Sequence, residues 1–257
     1  MKSNALIGHT GFVGGTLARD RTFGAMFNSR NIGEIKGQRF DTVICAGVSA
    51  VKWLANKEPE QDRAGIARLT DCLHEVKAEH FVLVSTIDVY GNPSGQTERD
   101  APSEAGLHPY GLHRLQLEAF IRQQFPRSTI VRLPALFGKG LRKNAIYDML
   151  NRNMPENVIP NGSFQWYPTR RLADDLDRVI AAEIDLINIA SAPLEMGAIH
   201  DRFFPDVAIG APVANPPRYD LRSIYDTVLG GSGGYHLSAD QVFQELRLFI
   251  DGARSGS

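Results

Sequence analysis

The stretch Ala5-Leu-Ile-Gly8-His-Thr-Gly11-Phe-Val-Gly14-Gly15 constrains this chain more than any other. Ala5 to Ile7 reads as a short buried strand, the glycines break it, and a helical pattern begins near Phe12. Strand, glycine turn and helix in that order make an anion site. Glycine lets the backbone turn tightly and approach an anion with no Cβ in the way. The first helical turn then points unpaired N–H groups and the positive end of its dipole at the anion. Glycines at 8, 11 and 14 give a G-x-x-G-x-x-G spacing, a variant of the G-x-G-x-x-G dinucleotide fingerprint. Gly8, Thr10, Gly11, Phe12, Val13 and Gly14 are therefore candidate pyrophosphate contacts. The competing reading is a tight strand-to-helix turn with no ligand, which the position directly after the first strand disfavours.

The chain then alternates. Phe23 to Phe27 reads as a second strand, followed by Asn28-Ser29-Arg30-Asn31. In a dinucleotide fold an acidic side chain at this point accepts from the ribose hydroxyls, whereas an arginine accommodates a 2′-phosphate. No Asp or Glu lies between Phe27 and Ile32. Asn28, Ser29 and Arg30 offer polar groups and a guanidinium fork suited to phosphate, which favours NADP and leaves NAD open. The alternative is a solvated turn carrying a surface arginine. Residues 32 to 40 are too short and polar for a full strand–helix unit. Phe40 to Cys45 reads as a buried parallel strand ending at Ala46-Gly47-Val48, small residues that let a flat ligand approach the backbone.

Glu58 to Lys77 carries Ile66, Leu69, Leu73 and Val76 on one helical face. Phe81 to Ser85 is the next strand, Tyr110 to Gln124 a helix, and Ser128 to Leu136 another strand. This order predicts an α/β fold with a doubly wound parallel sheet of the Rossmann type. Beyond Gly138 the regularity weakens. Helices are expected at Lys143–Asn151, Leu172–Glu183 and Leu194–Phe204, a strand at Leu186–Ala190, and loops at Asn153–Pro168 and Val207–Arg222. Ser238 with Gln241 opens a last helix through a capping box, and Gly252 to Ser257 reads as a disordered end. The expected organisation is a dinucleotide-binding core over 1–138, with returning elements at about 172–191. A small C-terminal substrate lobe and closing helices would take most of 139–257.

The 257 residues carry 28 Lys plus Arg against 29 Asp plus Glu, so there is no field for nucleic acid or an anionic membrane. Any anion site must be local. Cys45 and Cys72 suggest core fillers in a reducing compartment, and the seven histidines, His9 and His113 among them, form no metal spacing. His113 is expected to point away from the Tyr110 face. No apolar run reaches the ~18 residues a membrane span needs. The first strand starts within five residues of the beginning, leaving no room for a secretion signal, so a cytoplasmic location is expected.

Three further clusters carry chemistry. Ser85-Thr86-Ile87-Asp88-Val89-Tyr90-Gly91 resembles the S-[ST]-x-x-V-Y-G segment of the extended short-chain dehydrogenases, the NAD-dependent epimerase/dehydratase family. His108-Pro-Tyr110-Gly-Leu-His-Arg114 is similar to that family's P-Y-G-x-x-K helix start, with arginine where the family has lysine. Arg132-Leu-Pro-Ala-Leu-Phe-Gly138 is similar to its R-x-x-N-x-x-G strand end, with Pro134-Ala135 where many members have asparagine. The resemblance covers most of the chain and is strongest from Ala5 to Gly138. It implies a Rossmann fold, a nicotinamide dinucleotide, Tyr110 as acid/base and Thr86 as a hydrogen-bond partner of the reacting oxygen. It places Ser85, Tyr110, Arg114, Pro134 and Leu136 with Ala46, Gly47 and Val48 around the cofactor.

The residues fit that chemistry. Tyr110 and Arg114, four apart on a helix, share a face, and a fixed cation beside a phenol lowers its pKa toward the working range. The alternative is a surface Tyr–Arg stack. Lys143, Gln165, Tyr167, Arg171 and Arg222 are substrate-side candidates in the lobe, although most such residues are solvated surface. The length leaves a smaller lobe than most members need for a whole nucleotide-sugar. The resulting expectation is an NADP-preferring reductase, epimerase or dehydratase. It would act on a hydroxyl or carbonyl carbon of a sugar-derived or similar polar small molecule, with room for a homodimer. The rival is a dinucleotide-binding sensor or scaffold without redox turnover.

Overall fold

The computed structural model describes residues 4–91 and 93–255. In chain order the elements are β1 (Asn4–Ile7), α1 (Phe12–Asp20), β2 (Ala25–Phe27), β3 (Arg39–Cys45), α2 (Lys52–Lys57) and α3 (Pro59–Leu73). Then come β4 (Lys77–Thr86), α4 (Pro109–Gln124), β5 (Ser128–Leu133), β6 (Ala135–Phe137), α5 (Ala145–Asn151), β7 (Ser163–Phe164) and β8 (Trp166–Pro168). The last are α6 (Leu172–Ala181), β9 (Leu186–Asn188), β10 (Leu194–Glu195), α7 (Met196–Phe203) and α8 (Ala239–Arg254).

Six strands form one parallel sheet in the order β2-β1-β3-β4-β5-β9. Chain order reverses at β1, so the carboxyl ends of β1 and β3 flank the crevice where such sheets bind ligands. The strands read as continuous apolar runs because both faces are covered. Ala5, Leu6, Ile7, Val43, Phe81, Val82, Ile130 and Val131 are all buried. Leu69 and Leu73 of α3 and Leu117 and Ile121 of α4 belong to the same core cluster, in which Phe81 and Phe125 stack at 4.3 Å. This is the doubly wound Rossmann-type fold.

The chain divides into two compact units. The first takes Met1–Asn92, Glu98–Leu133 and Ala173–Asn188, and so contains the whole six-stranded sheet. The second takes Pro93–Thr97, Pro134–Leu172 and Ile189–Ser257. Within it β6 pairs with β8 and β7 with β10, and α8 begins with the expected Ser238–Gln241 capping box.

Several boundaries differ from expectation. β4 begins at Lys77 rather than near Phe81, because β3 starts at Arg39 and pairs Arg39 with Lys77 and Phe40 with Ala78. The strand expected over Ser128–Leu136 stops at Leu133, since Pro134 has no N–H for the ladder. Ala135–Phe137 pairs with Trp166–Pro168 instead, and the stretch expected as loop over Asn153–Pro168 therefore contains two short strands. Gly252 to Arg254 continue α8, contrary to the disorder expected there, while Gly256 and Ser257 lie outside the described residues. Among the described residues no helix is long and apolar enough to cross a membrane, and no cluster of three metal-ligating side chains occurs.

Candidate active site

The glycine turn after β1 is built by two different constraints. Gly8 has φ +91°, and a Cβ there would come within 2.4 Å of the Ala46 carbonyl oxygen. A Cβ on Gly14 would lie 2.1 Å from the Gly8 carbonyl oxygen. The protein's own backbone demands glycine at both. Gly11 is different: its φ is −80°, and a Cβ would meet only the Gly8 carbonyl oxygen, at 3.3 Å. Gly11 is exposed, and the space beside it lies in front of the α1 N-terminus. The first turn of α1 has no acidic residue and no side-chain cap, so the N–H groups of Phe12, Val13 and Gly14 are left to whatever sits there. Thr10 is exposed on the same turn.

Beside this turn the first unit holds a cavity of about 330 Å³ at the carboxyl ends of β1, β2 and β3. Ile7, Asn28, Ser29, Gly47 and Val48 line it from the sheet, while Leu54, Asp62, Ile66 and Arg68 close it from α2 and α3. The loop after β2 is fixed by its own polar groups. Asn28 N–H donates to Asn31 Oδ1 at 2.7 Å, and Arg30 N–H to Asn28 Oδ1 at 2.8 Å. The His9 ring lies against this loop, within 3.1 Å of the Phe27 carbonyl oxygen and 3.3 Å of Asn28 Nδ2. Arg30 itself is exposed. Arg68 had no signal in the sequence, where it reads as part of a solvated helix face.

Thr86 ends β4 and caps a short 3₁₀ turn over Ile87–Val89, its Oγ1 accepting from Asp88 N–H at 3.1 Å. Tyr110 opens α4 behind Pro109, a first-turn proline, and the His108 ring caps that helix from Gly111 N–H. A Cβ on Gly111 would lie 2.2 Å from the Asp88 carbonyl oxygen, so only glycine lets the start of α4 seat on the Thr86–Asp88 turn. That seating puts Tyr110 close enough to Thr86 for the hydroxyl to favour the phenolate. Burial pushes the Tyr110 phenol up; Arg114, Thr86 and Lys52 pull it down, Asp88 pushes it further up, and the net direction is upward. The lowering expected from Arg114 alone is outweighed.

Arg114 shows why. Its guanidinium carbon lies 3.9 Å from the centroid of the Tyr110 ring, over the ring face. Nη1 donates to Asp62 Oδ2 at 2.5 Å and to the Tyr110 carbonyl at 3.1 Å. Nη2 donates to Asp62 Oδ1 at 2.8 Å and to the Ser49 carbonyl at 2.5 Å. All four terminal N–H bonds thus have partners inside the protein. Asp62 also takes His113 Nδ1 at 2.7 Å. Burial pushes the Asp62 carboxyl up, but the hydrogen bonds from Arg114 and His113 outweigh it and hold the group below its usual range. His113, expected to point off the Tyr110 face, joins the cluster through this carboxylate.

Ser85 donates to Glu118 Oε1 at 2.5 Å, in a buried network where Glu118 pairs with Arg132 at 2.6 Å and Arg132 Nη1 donates to Tyr90 Oη at 2.7 Å. The Ser85 hydroxyl is therefore committed to the core. Ala46 lies beside Gly8, its N–H donating to the Ile7 carbonyl. Pro134 and Leu136 belong to the second unit, where Leu136 pairs with Tyr167 on β8. In that unit Gln165 is buried and braces Ser191 and Leu221 through their backbone, Tyr167 is buried, and Arg222 pairs with Asp220.

The sequence pattern of the NAD dependent epimerase/dehydratase family matches residues 20–163. The chain belongs to that family. No curated protein matches the sequence significantly. Among solved structures, the family chain is similar over 99% of its length to an NAD dependent NDP-hexosamine 5,6-dehydratase, TunA, of tunicamycin biosynthesis, covering 98% of that chain (18% identity, TM-score 0.77). It is similar over 98% of its length to dTDP-4-dehydrorhamnose reductase from Bacillus anthracis in complex with NADP, covering 98% of that chain (17%, 0.76). The corresponding figures for MoeE5 in complex with UDP-glucuronic acid and NAD are 99% and 100% (16%, 0.75). At these identities the likeness concerns the fold.

Proposed function

We propose that this epimerase/dehydratase family protein is an NADP-preferring reductase, epimerase or dehydratase acting on a hydroxyl or carbonyl carbon of a nucleotide-sugar or related sugar derivative. The observation that carries the reading is the seating of the start of α4, with Tyr110, on the Thr86–Asp88 turn through Gly111, in the same unit as the glycine turn and its cavity. The residues fit a dinucleotide. Gly11 keeps clear a space that a Cβ would fill, the α1 N-terminus offers N–H groups to a pyrophosphate, and the apolar cavity walls suit an adenosine. Ser29 and the exposed Arg30 follow β2, the point of a dinucleotide fold at which an arginine accommodates a 2′-phosphate, and this supports the NADP preference.

A nicotinamide dinucleotide held there supplies the hydride donor or acceptor. The chain's own residues handle the proton. In the oxidising direction Thr86 holds the substrate oxygen by a hydrogen bond, and Tyr110, as phenolate, removes the hydroxyl proton as the carbonyl forms. In the reducing direction Tyr110 returns that proton to the oxygen. We assign recognition of the sugar to the second unit. The small lobe expected from the length does not argue against a whole nucleotide-sugar, because the alignment covers 100% of a chain solved with UDP-glucuronic acid and NAD.

The test is nicotinamide fluorescence on mixing with NADPH, followed by turnover across UDP- and dTDP-sugars and simple carbonyls. Turnover abolished by Tyr110→Phe with cofactor affinity retained supports the reading. Binding without turnover on any substrate favours a dinucleotide-binding sensor or scaffold, a reading that the locking of Arg114 by Asp62 keeps in play.

A further inference from the structure

We propose that Lys52 is a positioning residue for Tyr110. Its ammonium holds the Asp88 carboxylate, and through Asp88 it keeps Thr86 and the phenol aligned and charge-balanced for proton transfer. This rests on Tyr110 being the proton carrier, and it supplies from another element the charge that Arg114 shares with Asp62.

Lys52 is the first residue of α2, directly beyond the carboxyl end of β3. Its Nζ donates to Asp88 Oδ1 at 2.6 Å. Asp88 in turn donates its backbone N–H to Thr86 Oγ1 at 3.1 Å, and its Oδ2 lies 3.5 Å from the same hydroxyl. The start of α4, with Tyr110 as its second residue, is seated on the Asp88 carbonyl through Gly111. Exposure rises along this series: Tyr110 is 8% and Thr86 9% exposed, and the side chains of Asp88 and Lys52 are 17% and 38% exposed. Lys52, Asp88 and Thr86 thus form a hydrogen-bonded series that runs from the surface to the turn on which Tyr110 is seated.

The charges facing the phenol come from every element packed on it. From α4 comes Arg114, matched by Asp62 of α3, which also holds His113. From the 3₁₀ turn comes Asp88, matched by Lys52 of α2. His108 caps the helix, and burial, then Lys52, hold its pKa below the usual value. Arg114 favours the phenolate, Asp88 opposes it, and Lys52 held on Asp88 offsets that opposing charge. An exposed lysine–carboxylate pair placed elsewhere contributes little to stability and nothing to this balance.

The experiment follows the phenol directly and needs neither substrate nor cofactor. Tyrosine labelled with ¹³C at Cζ is titrated by NMR, Tyr110→Phe assigns the resonance, and near-UV circular dichroism marks the range in which the protein stays folded. Lys52→Met, with Lys52→Gln as its second form, should raise the Tyr110 midpoint by about one pH unit, tenfold in the phenolate ratio. Asp88→Asn should lower it, and Lys52→Arg should restore the wild-type curve. Opposite shifts from the two partners are a signature that a merely structural pair does not give. Coincident curves for wild type, Lys52→Met and Asp88→Asn, or no ionisation in any of them before unfolding, would overturn the proposal. The expected shifts in a protein that turns over no substrate would remove the enzymatic reading while leaving this electrostatic arrangement in place.

Discussion

Arg114 closes both terminal nitrogens of its guanidinium on the carboxylate of Asp62, at 2.5 and 2.8 Å, with the two side chains only 4% and 6% exposed. A guanidinium can do this because its donors form a planar fork matching a carboxylate; an ammonium presents a point charge. The arginine in the family's lysine position is therefore part of a buried pair that also reaches His113, Ser49 and the first turn of α4.

Breaking that pair should cost far more than a surface contact. Arg114→Met leaves Asp62 buried without its main partner and should destabilise the protein by about 3–5 kcal/mol, read by urea unfolding. Asp62→Leu combined with Arg114→Met should recover most of the loss, because no charge is then stranded. Additive losses in the double variant would mean that packing, not charge, holds this corner.

Gly11→Val should abolish NADP⁺ binding in a folded protein, since Gly11 is the turn glycine whose own backbone tolerates a side chain. Gly8→Val should instead unfold or distort the turn, as its Cβ would strike Ala46. Titration calorimetry with melting curves separates the two. An unchanged affinity in folded Gly11→Val would remove the cofactor assignment.

Arg30→Ala should weaken NADP⁺ about tenfold and NAD⁺ little, because only NADP⁺ carries the 2′-phosphate that a guanidinium grips. Equal loss for both cofactors would place the discriminating charge elsewhere, with Arg68 on the cavity wall the next position to change.

His236 gives a pH prediction within the second unit. It is buried, its Nδ1 accepts from Ala190 N–H, and burial pushes its pKa down to about 4. A histidine whose folded pKa lies below its unfolded value keeps its full contribution above the unfolded pKa near 6.5. Stability is then lost as pH falls toward 4, by roughly 3 kcal/mol in all. His236→Gln, which keeps an acceptor for the Ala190 N–H, should flatten the difference between pH 7 and pH 4. A parallel loss in both proteins would assign the acid sensitivity to carboxylates.

The sheet was legible because its strands are continuous apolar runs separated by helical periodicity, a pattern that depends on neighbours in sequence. The errors fall where the partner is distant. β7 and β8 are two and three residues long and exist through pairing with Leu194–Glu195 and Ala135–Phe137. α2, at six residues, is too short to display a period. The candidate site divides in the same way. Gly8, Gly11, Thr86 and Tyr110 stand in local motifs with fixed spacing. Asp62 and Lys52 have no spacing to either Tyr110 or Arg114, and on α3 and α2 they look like charges on a solvated face. The departure at Arg114 was visible; the carboxylate that explains it was not.

The sixth strand carries a consequence for synthesis. β9 completes the first unit by pairing Leu186, Ile187 and Asn188 with Ile130, Val131 and Arg132. It is translated only after the chain has passed through Pro134–Leu172 of the second unit. Roughly fifty residues must emerge between the two strands, several seconds at about 5–20 residues per second. During that interval the nascent chain presents an open parallel edge at β5, beside the buried Arg132–Glu118 pair. The ribosome-bound intermediate is therefore the species most prone to edge-to-edge association, and a fragment truncated at Leu133 would retain that edge permanently.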